Sequence, residues 1–255
     1  MTTHAIRRPT RKDEAWRYAD FGALDQHWPE SADHWREIEV GAGETACETL
    51  VMPNEAGPVS AVERLRIHIA DHARFELYAI AARGHYARLE IEAHVGEGAH
   101  FEFGGAIIGA GASTNEFVMD VRHLKPGGTS NQTVRAIMAD KAVGSFLGGV
   151  HVARDAQRID GSQSAKAMLL DRGATANLKP QLEIYADDVK CAHGATVGEL
   201  DRQALFYMAS RGIPPELAER LILQTFVAEA FAALTADEAR EALEAEALAM
   251  LEGMK

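Results

Sequence analysis

The sequence predicts a β-rich core over residues 60–198, flanked by an N-terminal helical or irregular segment (1–59) and a C-terminal helical region (199–255). Three observations predict it. From about residue 60, apolar and polar residues alternate in short runs: LRIHIA from Leu65, RFELYAI from Arg74, RLEIEAHV from Arg88, HFEF from His100 and NEFVMDV from Asn115. Alternation with period two is the signature of strands with one buried face. The runs are joined by ADHA, GEGA, GAGA, ADKA and DRGA, each ending on a small residue (Ala73, Ala99, Ala112, Ala142, Ala174). After Gly198 the apolar spacing switches from two to that of a helix.

The elements follow in order. Lys12 to Leu24 (KDEAWRYADFGAL) is a short amphipathic segment whose aromatics Trp16, Tyr18 and Phe21 dock it on the main body. Trp28 and Trp35 read as further packing anchors, because large aromatics dominate core contacts. In the central region, short strands with tight small-residue corners suggest stacked rungs of a β-helix or solenoid. A sandwich or jelly-roll barrel competes, and the uneven spacing of the alanines leaves both open. Glu199 to Ser210 is helical, with Leu200, Ala204, Leu205 and Met208 in phase, and Arg211-Gly212 stops it. Pro214 and Pro215 open a second helix that runs to about Leu234, proline being tolerated in the first turn. Asp237 to Glu252, rich in Ala, Leu and Glu, is a third helix by propensity.

Composition narrows the function. Acidic residues outnumber basic ones, 38 to 26, for a net charge of −12, and no Lys/Arg run of five or more is present. A nucleic-acid partner is not expected. Two cysteines, Cys47 and Cys191, are too few for a disulfide framework and fit a reducing compartment. No apolar run approaches membrane-spanning length, and the N-terminus lacks a leader's apolar stretch. A soluble, cytoplasmic protein is the expectation.

Chemistry concentrates in PQLEIYADDVKCAHGATVG, from Pro180 to Gly198. Cys191 and His193 are two residues apart, so on a strand they share a face. A thiolate beside an imidazole is half of a soft metal site, and Gly194 permits close approach of a ligand or another backbone. Zinc or iron takes about four ligands, and the chain has no second compact Cys/His pair. The remaining donors would come from another chain or from a cluster. The bland reading is a buried thiol beside a hydrogen-bonded histidine; Cys47 reads as an ordinary buried or loop thiol. Asp187 and Asp188 read as turn residues. No P-loop, G-x-S-x-G elbow or H-E-x-x-H spacing occurs. His123 and His151 would be ligand candidates only in a barrel.

Three stretches then carry a resemblance: HLKPGGTSNQTVRAIMADKAVGSFLGGVHVARDAQRIDGSQSAKAMLL (His123 to Leu170), KPQLEIYADDVKCAHGATVGELD (Lys179 to Asp201) and LFYMASRGIPPELAERLILQTFVAEAF (Leu205 to Phe231). In this order, with KDEAWRYADF at the N-terminus, they resemble the SufB/SufD family of iron–sulfur cluster assembly proteins. The CAHGATVG wording is similar to the SufD type, the SufB type generally having a glutamate after this histidine. The resemblance implies a right-handed parallel β-helix flanked by helices and a non-catalytic scaffold role. It implies pairing with a SufB-like paralogue, and docking of a SufC-like ATPase on the helices between about Glu199 and Leu234. It also implies a transient iron–sulfur cluster at the subunit interface, toward which Cys191 and His193 are the metal-ligand candidates. Many family members are longer, so fewer rungs are expected here. Two other readings stand beside it: a homodimer paired through the same edge, and a stand-alone metal-dependent enzyme on a β-rich fold.

Overall fold

The computed structural model describes residues 7–28, 34–53, 60–82 and 84–254. Twelve strands appear among them: β1 (Arg36–Val40), β2 (Thr45–Met52), β3 (Ser60–Ile69), β4 (Arg74–Ala81), β5 (Tyr86–Val95), β6 (His100–Gly109), β7 (Thr114–His123), β8 (Thr129–Met138), β9 (Val143–Val152), β10 (Ile159–Leu169), β11 (Thr175–Ile184) and β12 (Val189–Glu199). Odd strands form one sheet in the order β1-β3-β5-β7-β9-β11, and even strands form the other in the order β12-β10-β8-β6-β4-β2. The ladders are parallel, as when Tyr86 pairs with Thr114 and Thr114 with Val143. Each strand therefore crosses to the opposite sheet before the chain returns one rung on. The result is a β-solenoid of about five turns, which answers the choice between solenoid and barrel.

Strand structure begins at Arg36, earlier than the alternation from residue 60 suggests. The reason is local composition. β1 is short and carries Arg36, Glu37 and Glu39, and β2 alternates small or polar residues on an edge of its sheet. A terminal turn is covered on one side only, so it needs fewer large apolar side chains.

The lumen is packed by inward residues of both sheets, including Leu65, Ile67, Leu77, Phe103, Phe117, Phe146 and Val150. Equivalent positions stack from turn to turn: Phe75 pairs in register with Phe101, their rings 6.4 Å apart and nearly parallel. The corner alanines Ala73, Ala99, Ala142 and Ala174 are buried, because a larger side chain there would meet the neighbouring turn. At the third connector, GAGA, the buried corner is Ser113 rather than the exposed Ala112; Ser113 Oγ donates to the Ala110 carbonyl at 3.0 Å and closes the bend.

Helices cover the outer faces of the sheets. The N-terminal segment holds a 3-10 turn at Glu14–Trp16 and one turn of helix, α1 (Phe21–Leu24), capped by Asp20, which accepts from the Gly22 and Ala23 backbone N–H groups. Trp16, Ala19 and Leu24 bury against Tyr86 on the odd sheet. Trp28 packs against the same cluster, and Trp35 is overlain by the Arg64 and Arg66 guanidiniums at 4.0 and 4.6 Å from its ring centre. The C-terminal helices are α2 (Arg202–Ser210), capped by Asp201, α3 (Pro215–Ala228) with proline at its start, and α4 (Asp237–Glu252). The second of the expected helices tightens to 3-10 at Glu229–Phe231 before Leu234. Leu223, Val227, Phe231, Leu243 and Leu251 bury against Tyr78, Ile80, Ile108 and Ile137 on the outside of the even sheet. Gly104 makes this approach possible, since a Cβ there would run into the Ala230 carbonyl oxygen.

Candidate functional site

β12 is the last strand of the even sheet and has one in-register neighbour, β10. Cys191 pairs with Gly161 and His193 with Gln163. Gly161 pairs in turn with Ser130, and Gln163 with Gln132, on β8. Two columns thus run along the inner wall and end at the candidate residues: Phe75, Phe101, Ser130, Gly161, Cys191 and, beside it, Leu77, Phe103, Gln132, Gln163, His193.

Cys191 is partly buried and packs against the lumen core, whereas His193 is exposed. The local sequence explains the difference. Both residues point to the inner side of β12, but no further turn follows to cover the second. A Cβ placed on Gly161 would lie 3.6 Å from Cys191 Sγ and 3.6 Å from Ser130 Oγ, so glycine leaves room beneath the thiol. Burial pushes the Cys191 thiol up, the Gly161 backbone N–H opposes this by hydrogen bonding to sulfur, and Asp160 adds to it. The group is a protonated thiol at neutral pH that a metal would have to deprotonate on binding. Among the described residues, no three His, Cys, Asp or Glu side chains converge as a metal-binding group. The pair supplies at most two ligands.

The other sequence candidates disperse. Cys47 is exposed on β2, where burial and the Glu76 and Glu48 carboxylates raise its thiol. His151 lies on the outer face of β9, 3.1 Å from both Asp120 and Glu183. His123 is fully buried at the inner end of β7, its Nε2 2.9 Å from Ser130 Oγ. The two do not meet, as expected for a solenoid rather than a barrel. Asp188 sits in the turn before β12, its backbone N–H donating to Gln157 Oε1 at 2.9 Å.

Burial, with a smaller contribution from His100, pulls His123 down to about 4, so it is held neutral. In the unfolded chain the imidazole titrates near 6.5. The unfolded state therefore takes up the proton first as pH falls. This group's contribution to stability is complete above about pH 6.5 and is lost down to about pH 4, for a total of about 3 kcal/mol. Denaturant midpoints measured at several pH values should fall more steeply across that window in the native sequence than in His123→Gln. Parallel curves would refute the assignment.

Sequence reasoning missed Gln132, Gln163 and the His123–Ser130 pair. Their signal was a run of polar residues (Ser130, Gln132, Gly161, Gln163) at positions of strand parity where earlier turns carry phenylalanine and leucine. Reading it requires the register between turns.

The chain matches the family model described as SUF system FeS cluster assembly, SufBD core domain, over residues 25–226. It is 32% identical over 230 residues to the iron–sulfur cluster assembly protein SufD of Escherichia coli, covering 79% of this chain and 54% of the relative. It is 31% identical over 133 residues to the SufD protein of Bacillus subtilis, covering 52% of this chain and 30% of the relative. It is 40% identical over 121 residues to the chloroplastic protein ABCI7 of Arabidopsis thaliana, covering 45% of this chain and 25% of the relative. The chain spans about half the length of the first of these relatives, and less of the other two.

Proposed function

Because this chain belongs to the SufB/SufD core family of iron–sulfur cluster assembly proteins, we propose that it is a SufD-like scaffold subunit whose last solenoid turn pairs with a SufB-like chain. Cys191 and His193 are its contribution to the site where the cluster, the cargo of the complex, is built. The observation that carries this reading is the open end of the solenoid. β11 and β12 terminate their sheets with one paired edge each, and the thiol and imidazole stand at that end. An uncovered strand edge is a template for another chain. Ile184, Tyr185 and Val197 are exposed around it, at 37%, 64% and 51%. Such an apolar rim suits an interface.

In this role the chain binds and positions, and the ATPase activity belongs to a partner. Cys191 gives up its proton to a metal and holds it through sulfur, and His193 offers a neutral nitrogen from the same strand face. The remaining ligands come from the facing chain. A second exposed apolar patch, Phe206 and Tyr207 on α2 with Leu221 on α3, suits docking of the SufC-like ATPase. Because α3 packs on the even sheet through Leu223 and Val227, movement there reaches the strands. The same open edge also suits a homodimer, which pairs two copies where no SufB-like chain is present.

Co-expression with SufB-like and SufC-like chains, followed by size-exclusion chromatography, should show co-elution, and separate elution would overturn the pairing. His193→Ala should lower cluster yield several-fold while leaving unfolding free energy within about 0.5 kcal/mol, as for an exposed side chain. Unchanged yield, or loss of the fold, would remove His193 from the site. Metal analysis of the purified single chain tests the stand-alone enzyme reading, which requires one tightly held metal without partners.

A further inference from the structure

Both ends of the solenoid are open to hydrogen bonding. Among the described residues, no strand pairs with the outer edge of β1 or β2, just as none pairs with that of β11 or β12. Their inner faces differ. In the last turn, the positions of lumen parity run from Ala176 to Ile184 on β11 and from Val189 to Val197 on β12, and none of them is Asp, Glu, Lys or Arg. At the first turn, three columns of the lumen begin with a charge. Arg36 shares the parity of Ile38 and Val40 and pairs in register with Leu65, followed by Ile91. Glu48 shares the parity of Ala46 and Leu50 and pairs with Leu77, followed by Phe103. Glu63, two residues before Leu65 on β3, is followed by Leu89 and Phe117. The three charges meet across the gap between the sheets. Arg36 donates both terminal nitrogens to Glu48, at 2.5 and 3.1 Å, and its Nε to Glu63 at 3.2 Å. The fork of a guanidinium on a carboxylate fixes both side chains. They stay 41%, 32% and 34% exposed, so the charges face water at the mouth of the lumen.

We propose that Arg36, Glu48 and Glu63 close the first turn to a second copy of this chain, so that solenoids add only at the last turn and an assembly ends at two. Without such a closure, the fold invites continuation. Its ladders are parallel, so β11 and β12 of one copy could extend onto β1 and β2 of the next as one turn follows another within the chain. That contact is head-to-tail, and its repetition gives an open fibre instead of a closed pair. Stacking of this kind encloses one guanidinium and two carboxylates between apolar turns. Removing them from water outweighs their mutual attraction unless each finds further partners, and charge pointing into a sheet's covered face is a recognised guard against edge-to-edge association. The limit of two rests on the last-turn pairing proposed above, but the closure of the first turn does not.

The triple substitution Arg36→Leu, Glu48→Leu, Glu63→Leu carries the apolar columns of Leu65, Leu77 and Leu89 to the mouth of the lumen. Size-exclusion chromatography with light scattering on the full chain should show the parent at no more than two copies. The triple variant's mean mass should exceed the parent's by about twofold or more at the same concentration and fall again on dilution. Arg36→Lys keeps the charge and should leave the mass unchanged. A parent that grows beyond two copies, or a triple variant with the parent's circular dichroism and the parent's mass, would overturn the closure. So would an Arg36→Lys variant that associates like the triple variant, since the charge would then not be what matters. If the triple variant does not fold, Arg36→Met with Glu48→Met supplies the same comparison. Failure to co-elute with a SufB-like chain would remove the proposed function but leave this comparison standing, because it reads the change in mass between variant and parent.

Discussion

Replacing Arg88 by methionine is expected to cost about 3–5 kcal/mol of unfolding free energy, the usual range when one member of a buried charge group is removed. Arg88 is completely buried on the outer face of β5, under the N-terminal segment. Its guanidinium lies 3.7 Å from the Trp16 ring centre, 3.0 Å from Glu116 and 2.9 Å from Glu90, and donates to the Ala15 carbonyl at 2.9 Å. Tyr86 adds a 2.6 Å hydrogen bond to Glu116. Burial works against the charge on Arg88, but Glu116 and Glu90 outweigh it and raise its pKa. Glu90 in turn is held below the usual carboxylate range: burial opposes its charge, and Arg88 and Arg64 more than compensate. Methionine leaves Glu116 buried without its cation and frees Trp16 from the sheet. Urea denaturation should show the loss, and tryptophan fluorescence should report an N-terminal segment that detaches first. Adding Glu116→Gln should recover part of the stability, since the uncompensated carboxylate is gone. A variant as stable as the parent would mean that the segment is held by its apolar contacts alone.

Phe231→Ala should cost about 3–5 kcal/mol, as large-to-small changes at fully buried aromatic positions do. Phe231 is inaccessible to solvent and lies in the cluster that joins Leu223, Val227 and Leu243 to Ile108 and Ile137. Gly104 lets the backbone at Ala230 reach the sheet, so the cavity cannot close by moving the helices nearer. The expected result is a two-step unfolding curve in which the helical signal is lost before the strand signal. Under the proposed function the same variant should weaken retention of a SufC-like ATPase more than pairing at the open turn. A single, unshifted transition would show that the helices are anchored elsewhere.

What could be read locally was read from the sequence. Period-two alternation at Leu65, Arg74 and Arg88 marked strands, Asp237 to Glu252 marked a helix with its observed bounds, and Cys191 with His193 marked a shared strand face. Each is a relation among residues within a few positions of one another, where backbone geometry alone sets which side chains are neighbours. The corner at Ser113 and the strands at Arg36 and Thr45 were less legible, because a small residue beside a turn and a sparse alternation are weak signals.

The sequence by itself determined the strand and helix content, the candidate metal ligands and, through its motifs, the family. Only the tertiary structure decided that Cys191 and His193 stand at the open end of a lumen, that Gln132 and Gln163 line up beneath them, and that Arg88 meets Trp16 across 72 positions of chain. The physical reason is register. Turns of unequal length bring Thr129 opposite Asp160 but Arg74 opposite His100. Which residues stack is therefore set by pairing between strands about thirty residues apart, and no local pattern encodes that.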